Sequence, residues 1–219
     1  MEDNIKLYSL SLDVSTTNVG ISLWDENGQL IELKHLELKI DKDIVIEDRY
    51  IYKTNLFIKY FSDFKKRIKE EYNANITNIF IEAPLSNTPK NINTTAMLLG
   101  FNGIVCYKLY ELFNIIPKKI TVYEARKIFL FDYVKVTKKR NGEIKETLSI
   151  PKNIDKKMLI WEKVSNLEPS INWFYTRNKT LKNSSFDMAD SFVVGICGLI
   201  GIGILNYSDW KTKYLKLTK

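Results

Sequence analysis

The feature that most constrains the fold is a series of three consecutive segments near the N-terminus in which apolar and polar residues alternate. Alternation with a period of two predicts strands that bury one face. We expect strands at residues 6–14, 19–25 and 29–38. The polar turn Ser15-Thr16-Thr17-Asn18 separates the first two, and Asn27-Gly28, a strong signal for a tight hairpin, lies before the third. The chain therefore begins with an antiparallel three-stranded meander.

After the meander, segments of helical periodicity alternate with short apolar strands. Helices are predicted at residues 46–72, 94–113 and 154–166, and a last helix begins near Ser184 or Ser185 as its N-cap. Strands are predicted at residues 76–82, ahead of Pro84, and at residues 120–123. Strands that alternate with helices after a meander indicate a single α/β domain over residues 1–219, with a mixed sheet.

Residues 133–150 interrupt this alternation. Residues 134–137 and 143–150 have strand character around the turn Lys138-Lys139-Arg140-Asn141-Gly142. This pattern predicts a basic β-hairpin that projects from the domain as an insertion.

The composition limits the functional classes. The net charge of +7 over 219 residues favours a polyanionic partner, although a Lys-, Ile- and Asn-rich composition typical of an AT-rich genome would produce the same charge. An aromatic content of 12% excludes a disordered chain. Cys106 and Cys197 are too few for a disulfide framework, so we expect buried free thiols and a reducing compartment. The apolar run at residues 192–205 is shorter than a membrane span and predicts a core helix, so no membrane partner is expected.

Four carboxylates lie where packing alone does not explain them. Asp13 sits inside an apolar strand just before its turn, and Glu82 ends the apolar run Ile79-Phe80-Ile81-Glu82. Asp187 and Asp190 are three residues apart on an otherwise apolar helix and so share one face. Carboxylates close together repel one another, and hard oxygen ligands favour Mg²⁺ or Mn²⁺ as the cation that stabilises them.

Each acid also has a simpler interpretation. Asp13 could cap the turn that follows it, Asp187 could interact with the positive end of the helix dipole, and Glu82 could be an ordinary acid at a strand end. A metal site requires all four acids to converge.

Four segments, taken in order, resemble the RuvC-type Holliday-junction resolvases of the RNase H-like superfamily. They are Leu10-Ser11-Leu12-Asp13-Val14-Ser15-Thr16-Thr17-Asn18-Val19-Gly20-Ile21-Ser22, Ile79-Phe80-Ile81-Glu82, residues 91–103 and Asp187-Met188-Ala189-Asp190-Ser191. The resemblance covers most of the chain and implies an RNase H-like mixed five-stranded sheet flanked by helices. It also implies that two Mg²⁺ ions, replaceable by Mn²⁺, bind to the catalytic acids Asp13, Glu82, Asp187 and Asp190.

The resemblance extends to basic residues. Residues 120–127 are similar to the fifth strand of the family and the basic residue after it, which implies DNA contacts by Arg126 and Lys127. Family members place a lysine early in the next helix, near the scissile phosphate. Lys156 takes that catalytic place in our register and Lys157 is the second choice, with a solvated helix face as the simpler alternative for both.

Two segments depart from the family pattern. The basic hairpin is an addition to the compact bacterial members, and its residues Lys138, Lys139 and Arg140 are expected to contact DNA. The loop after Glu82 offers Leu85 where bacterial members carry an aromatic wedge.

For two further features we favour a structural interpretation over a functional one. His35 is expected to be structural or solvated, because nothing beside it forms a triad. Trp173-Phe174-Tyr175, next to Arg177 and Lys179, could stack on unpaired bases, but core packing is the preferred interpretation.

The predicted function is Mg²⁺-dependent hydrolysis of phosphodiester bonds in branched DNA, with four-way junctions as the expected substrate. Two symmetric cuts need two active sites, so the resemblance implies a homodimer. The expected location is the cytoplasm, at the nucleoid or, for a viral protein, in the host cytoplasm. One alternative is an ATP-dependent phosphotransferase of the actin and sugar-kinase type. Residues 13–20 resemble the phosphate-binding hairpin of such proteins, although 219 residues leave no room for a second lobe. The other is a non-catalytic DNA-binding scaffold.

Overall fold

A five-stranded mixed sheet forms the centre of the molecule in this computed structural model, which describes residues 5–41, 43–45, 48–84 and 92–217. The strands are β1 (Lys6–Val14), β2 (Asn18–Trp24), β3 (Leu30–Glu37), β4 (Ala74–Ala83) and β5 (Lys118–Thr121). Their order across the sheet is β3-β2-β1-β4-β5. The first three strands are antiparallel, whereas β4 is parallel to both β1 and β5. The predicted meander and the predicted fold class are confirmed.

Six α-helices, a short 3₁₀ helix (Phe131–Tyr133) and a separate hairpin are the other elements of the described chain. The helices are α1 (Arg49–Tyr72), α2 (Ile92–Phe113), α3 (Val122–Phe129), α4 (Lys156–Leu167), α5 (Asn183–Gly201) and α6 (Tyr207–Leu217). The hairpin pairs β6 (Val134–Lys138) with β7 (Ile144–Leu148), in the basic segment for which the sequence indicates a hairpin.

Each face of the sheet has its own apolar core. Alternate residues of β1, among them Leu10 and Leu12, pack against α1 and α2. The residues between them, Ser9 and Ser11, are also fully buried but are small and polar, and they lie on the opposite face. That opposite face carries α5, and α3, α4 and α6 pack around α5 in the second core.

Small residues let α5 lie close to the sheet. A Cβ on Gly198 would collide with the ring of Phe80 in β4, so glycine is required at this crossing. The contact is also polar, because the Ser22 hydroxyl donates a hydrogen bond to the Ser191 carbonyl at 3.0 Å. Trp24 Nε1 donates to Ser11 Oγ at 2.8 Å beside it. The position of α5 over β1 and β2 is therefore fixed by packing and by hydrogen bonds.

Several local expectations are wrong at their boundaries. The helix predicted to begin at Ser184 or Ser185 is α5, which begins at Asn183 after Lys182, so neither serine is its N-cap. It is also not the last helix, because α6 follows it at Tyr207–Leu217. Residues 122–123 belong to α3 rather than to the fifth strand, because Thr121 and Glu124 form a capping box that starts the helix there.

Two expectations about burial have different outcomes. Cys197 is buried but Cys106 is only half-buried, and both are free thiols. Within the described ranges, α5 is the one helix long and apolar enough to cross a membrane, yet 72% of its apolar window is buried inside the protein. It is the core helix of the sheet face on which it lies.

Candidate functional site

The two strand acids lie side by side near the carboxyl ends of the inner strands β1 and β4. Leu12 of β1 pairs with Ile81 of the parallel strand β4, so the next residues, Asp13 and Glu82, occupy neighbouring positions near the carboxyl ends of both strands. Asp13 lies two residues after Ser11, which contacts α5 beside Trp24, so both side chains are on the same face of the strand. Glu82 lies two residues after Phe80, whose ring also contacts α5. Both acids therefore lie on the sheet face that α5 covers.

Close contact between β2 and α5 positions the two helix acids. Gly20 pairs with Asp13 across β1 and β2. A Cβ on Gly20 would collide with the backbone carbonyl of Asp187 and with the Met188 amide. The backbone of α5 therefore passes directly over the neighbour of Asp13, which places Asp187 and Asp190 at the strand acids. Glycine inside a strand is the signal that could have revealed this close approach in the sequence.

The four carboxylates share one electrostatic environment. Burial raises the pKa of Asp13 well above its usual range, and the charges of Glu82, Asp190 and Asp187 raise it further. Burial also raises the pKa of Glu82, to about 7, with Asp190 as the next cause. Both strand acids are thus sensitive to the charges on α5, as convergence of the four acids requires.

The helix acids behave in the same way. Burial raises the pKa of Asp187 to about 6 against the opposing charge of Lys157. Burial raises the pKa of Asp190 too, and the positive charges of Arg126 and Lys157 oppose that rise. Four negative charges at this site are therefore energetically unfavourable unless a cation compensates them.

Two cations of the chain face this cluster. Arg126 Nη2 lies 3.5 Å from Asp190 Oδ1, and the Arg126 side chain is only 21% exposed. The charge of Lys157 lowers the pKa of all four acids. Arg126, for which the family resemblance implies DNA contacts, therefore contacts a carboxylate of the site. The charge of Lys157 affects the acids, whereas Lys156 is not among the causes of their pKa shifts.

Lys156 occupies a different place. Asp155 caps α4 by accepting hydrogen bonds from the amides of Lys157 and Met158, which makes Lys156 the first helical residue. Lys156 lines a groove of about 460 Å³ beside the acids. The other lining residues come from α3 and from the base of the hairpin: Val122, Tyr123, Arg126, Leu148, Ser149 and Ile150. The sequence comparison favours Lys156 for the place at the scissile phosphate; in the structure Lys156 lines the groove, and it is the charge of Lys157 that acts on all four acids.

The donor set fits a hard divalent cation. All four side chains offer carboxylate oxygens, and Asp187 Oδ2 is buried without a hydrogen-bond partner in the described chain. Among the described residues, no group of three or more His, Cys, Asp or Glu side chains is arranged so that it could hold a metal ion in this structure.

The remaining basic candidates are exposed or paired with acids. Lys127 Nζ lies 2.9 Å from Glu146 Oε2, which fastens the hairpin strand β7 to α3. Lys139 Nζ lies 2.7 Å from Glu143 Oε2 at the hairpin tip. Lys138 and Arg140 are exposed and form no ion pair with the described residues.

The structural interpretations of His35 and of Trp173-Phe174-Tyr175 have different outcomes. The His35 ring hydrogen-bonds with Asn18 Oδ1 at 3.0 Å, in agreement with a structural role. Trp173 packs against the second core, as expected, but Phe174 and Tyr175 are exposed, so core packing is wrong for these two. Leu85 lies outside the described residues.

The sheet order and the helix across it define a RuvC-like RNase H fold. The structure of Thermus thermophilus RuvC in complex with Holliday junction substrate matches this chain with a TM-score of 0.52 and 8% identity, over 90% of this chain and 97% of that one. The yeast mitochondrial Holliday junction resolvase Ydc2 matches with a TM-score of 0.49 and 11% identity, over 95% and 83% of the two chains. No protein-family model and no curated sequence matches this chain.

Proposed function

We propose that this protein is a metal-dependent endonuclease that resolves four-way junctions or other branched DNA. The observation that carries the proposal is the convergence of four buried or half-buried carboxylates from β1, β4 and α5 on one sheet face. The fold shared with a RuvC bound to a Holliday junction substrate supports the same class of reaction.

Mg²⁺ or Mn²⁺ would be held by Asp13, Glu82, Asp187 and Asp190. Two such ions supply Lewis-acid stabilisation and lower the pKa of bound water, which is the chemistry that phosphodiester hydrolysis needs. Burial and mutual repulsion already raise the pKa values of these acids, so a divalent charge offsets an existing electrostatic cost.

The chain's own cations have separate roles in this proposal. Lys157 faces the acids and stabilises negative charge that develops on the phosphoryl oxygens. Arg126 holds the Asp190 carboxylate in place through the 3.5 Å contact. Lys156, in the adjacent groove, and the hairpin residues Lys138, Lys139 and Arg140 contact the DNA backbone and contribute affinity.

We also propose that the active form is a homodimer. The solvent-facing side of α2 exposes several large apolar side chains, namely Met97, Leu99, Ile104, Tyr107 and Tyr110. Gly100 and Gly103 lie on the same face with open space around them, so another backbone can approach. A two-fold symmetric pair of such helices would bury this face and supply the two active sites that symmetric cleavage needs.

The experiment is incubation of the purified protein with labelled four-way junction, flap and linear duplex, and separately with ATP, in Mg²⁺ or in EDTA. We expect cleavage of the junction on two opposing strands in Mg²⁺, weaker cleavage of duplex, and no reaction in EDTA. Turnover of ATP without cleavage of any DNA would overturn the proposal in favour of a phosphotransferase. Binding of the junction without cleavage in Mg²⁺ would instead support a non-catalytic scaffold.

A further inference from the structure

A short loop before α5 exposes two aromatic side chains that the proposed chemistry does not use. Phe174 is 45% exposed and Tyr175 is 49% exposed, whereas Trp173 packs against Trp161 with its ring centroid 6.1 Å away. We call residues 174–182 the aromatic loop. Large exposed aromatic side chains next to each other have no role in the core of this domain.

The aromatic loop is held in one conformation by its own hydrogen bonds. The Thr176 amide donates to the Thr180 carbonyl at 2.7 Å, and the Lys182 amide donates to the Phe174 carbonyl at 3.0 Å. The buried hydroxyl of Ser185 accepts from the Phe174 amide at 2.8 Å and donates to the Phe174 carbonyl at 2.9 Å. The exposed rings are therefore presented by a preorganised backbone, which lowers the entropy cost of binding.

The loop lies beside the acid cluster. Ser185, which anchors Phe174, precedes Asp187 by two residues on α5. Asp13, Gly20 and His35 pair in register across β1, β2 and β3 and so occupy the same sheet face. The Phe174 ring centroid is 6.0 Å from that of His35. Because neighbouring strands are about 4.8 Å apart, His35 is roughly 10 Å from Asp13 across the sheet.

The charge of the loop selects a polyanion. Arg177, Lys179 and Lys182 are exposed, and none of them forms an ion pair with the residues that the structure describes. Aromatic rings with adjacent unpaired cations are the combination that binds single-stranded nucleic acid, because the rings stack on bases and the cations neutralise phosphates.

We propose that Phe174 and Tyr175 form a stacking platform for an unpaired base at the branch point of the DNA, with Arg177 and Lys179 on the adjacent phosphates. This inference rests on the proposed function and adds the element that distinguishes branched DNA from duplex. In a duplex the bases are already stacked on one another, so the platform gains contacts only where a base is free.

The test uses the cleavage-deficient variant Asp13→Asn and a junction that carries 2-aminopurine, a fluorescent adenine analogue, either at the branch point or in the middle of an arm. We expect binding to change the fluorescence at the branch point and not in the arm. Phe174→Ala with Tyr175→Ala should abolish that change and weaken junction binding at least about 5-fold, since stacking is worth about 1–3 kcal/mol per base. Duplex binding should stay within about 2-fold.

Salt dependence separates stacking from charge. The double aromatic variant should keep the slope of log K against log salt, whereas Arg177→Ala and Lys179→Ala should each reduce it by roughly 0.7–0.9. Tyr52→Ala, which removes an exposed aromatic side chain on α1, is the matched control and should change nothing. If the double aromatic variant binds the junction as tightly as Asp13→Asn alone, with the same fluorescence change, the stacking platform is overturned and the proposed function is not. If Asp13→Asn alone binds no branched DNA, both the stacking platform and the proposed function are overturned.

Discussion

Two consecutive lysines at the start of α4 face different surroundings. Lys157 acts on all four acids, whereas Lys156 lines the groove beside them. We predict that Lys157→Ala lowers the single-turnover cleavage rate about 100-fold with little loss of affinity, because its charge acts mainly in the transition state. Lys156→Ala should instead weaken junction binding and reduce the salt slope by roughly 0.9. Cleavage rates at saturating DNA distinguish the two variants, and equal losses of rate would contradict the assignment.

A single missing Cβ keeps α5 over the strand acids. We predict that Gly20→Ala lowers the free energy of unfolding by about 1–3 kcal/mol, because the new methyl group meets the backbone of Asp187 and Met188. Cleavage should fall further than the stability loss explains, since Asp187 is displaced.

Gly201→Ala is the control for this variant. A Cβ on Gly201, at the end of α5, meets only the flexible end of the Lys118 side chain at 3.3 Å, so alanine should change the free energy of unfolding by less than about 1 kcal/mol. Denaturant titration and single-turnover cleavage of both variants provide the comparison. A Gly20→Ala protein with normal stability and normal cleavage would show that α5 is not fixed by this contact.

At the scale of elements, a buried carboxylate joins β3 to α1. Arg67 contacts both oxygens of Glu32, at 2.5 and 2.7 Å, and Tyr72 donates to Glu32 at 2.9 Å. Burial would raise the pKa of Glu32, but hydrogen bonds from Arg67, Lys34 and Tyr72 outweigh it and lower the pKa from its usual 4.5 to about 2. The charged form of Glu32 is therefore the stable form in the folded protein.

This shift predicts a specific acid sensitivity. Because the folded pKa lies below the unfolded value, Glu32 contributes stability that is present above about pH 4.5 and is lost as the pH falls towards 2. Glu32→Gln should cost roughly 1.5–3 kcal/mol at neutral pH, and its deficit relative to the wild type should shrink across that window. Urea titrations at several pH values measure this deficit. Glu70→Gln, at an exposed pair with Lys66, is the control and should cost under about 0.5 kcal/mol. A deficit that is constant with pH would contradict the shift.

Strands were easier to predict from the sequence than the ends of helices. The bounds of β1 match the alternation at residues 6–14, because this strand buries both faces and its neighbours fix its register. Residues 122–123 carry β-branched and aromatic character, yet the Thr121 and Glu124 capping box places them in α3. Propensity is a weak signal at such a boundary, where two hydrogen bonds decide the outcome.

The convergence of the site was predictable, but its fine geometry was not. Asp13 and Glu82 were conspicuous because carboxylates rarely end apolar strands, and the three-residue spacing put Asp187 and Asp190 on one helix face. The choice between Lys156 and Lys157 depended on a helix start that Asp155 fixes by capping, and a shift of one residue rotates a side chain by about 100°. The exposure of Phe174 depended on its bond to Ser185, which is a tertiary contact.

At the scale of the whole molecule, the exposed face of α2 predicts self-association. Tyr107 is 57% exposed in the middle of this face. We predict that Tyr107→Glu converts a dimer into a monomer, because a buried and unpaired charge at the interface is strongly unfavourable. The variant should then nick one strand of a junction and fail to cut two strands together.

Light scattering with and without junction DNA measures this change in mass. Tyr52→Glu, which places the same charge at an exposed tyrosine on α1, should leave the dimer intact. A wild-type protein that stays monomeric on the junction would contradict the dimer and leave a nuclease that acts as a single copy.

The most direct test of the central claim is the separation of cleavage from binding in Asp13→Asn. On a labelled four-way junction in Mg²⁺, we predict that its cleavage rate falls at least about 1000-fold, since loss of a ligand in a two-metal site removes several kcal/mol of transition-state stabilisation. Its Kd should stay within about threefold of the wild-type value, because basic residues supply the affinity. Asp63→Asn, at an exposed acid on α1, should match the wild type in both. Cleavage by Asp13→Asn above about 10% of the wild-type rate, or a loss of binding equal to the loss of cleavage, would contradict the account.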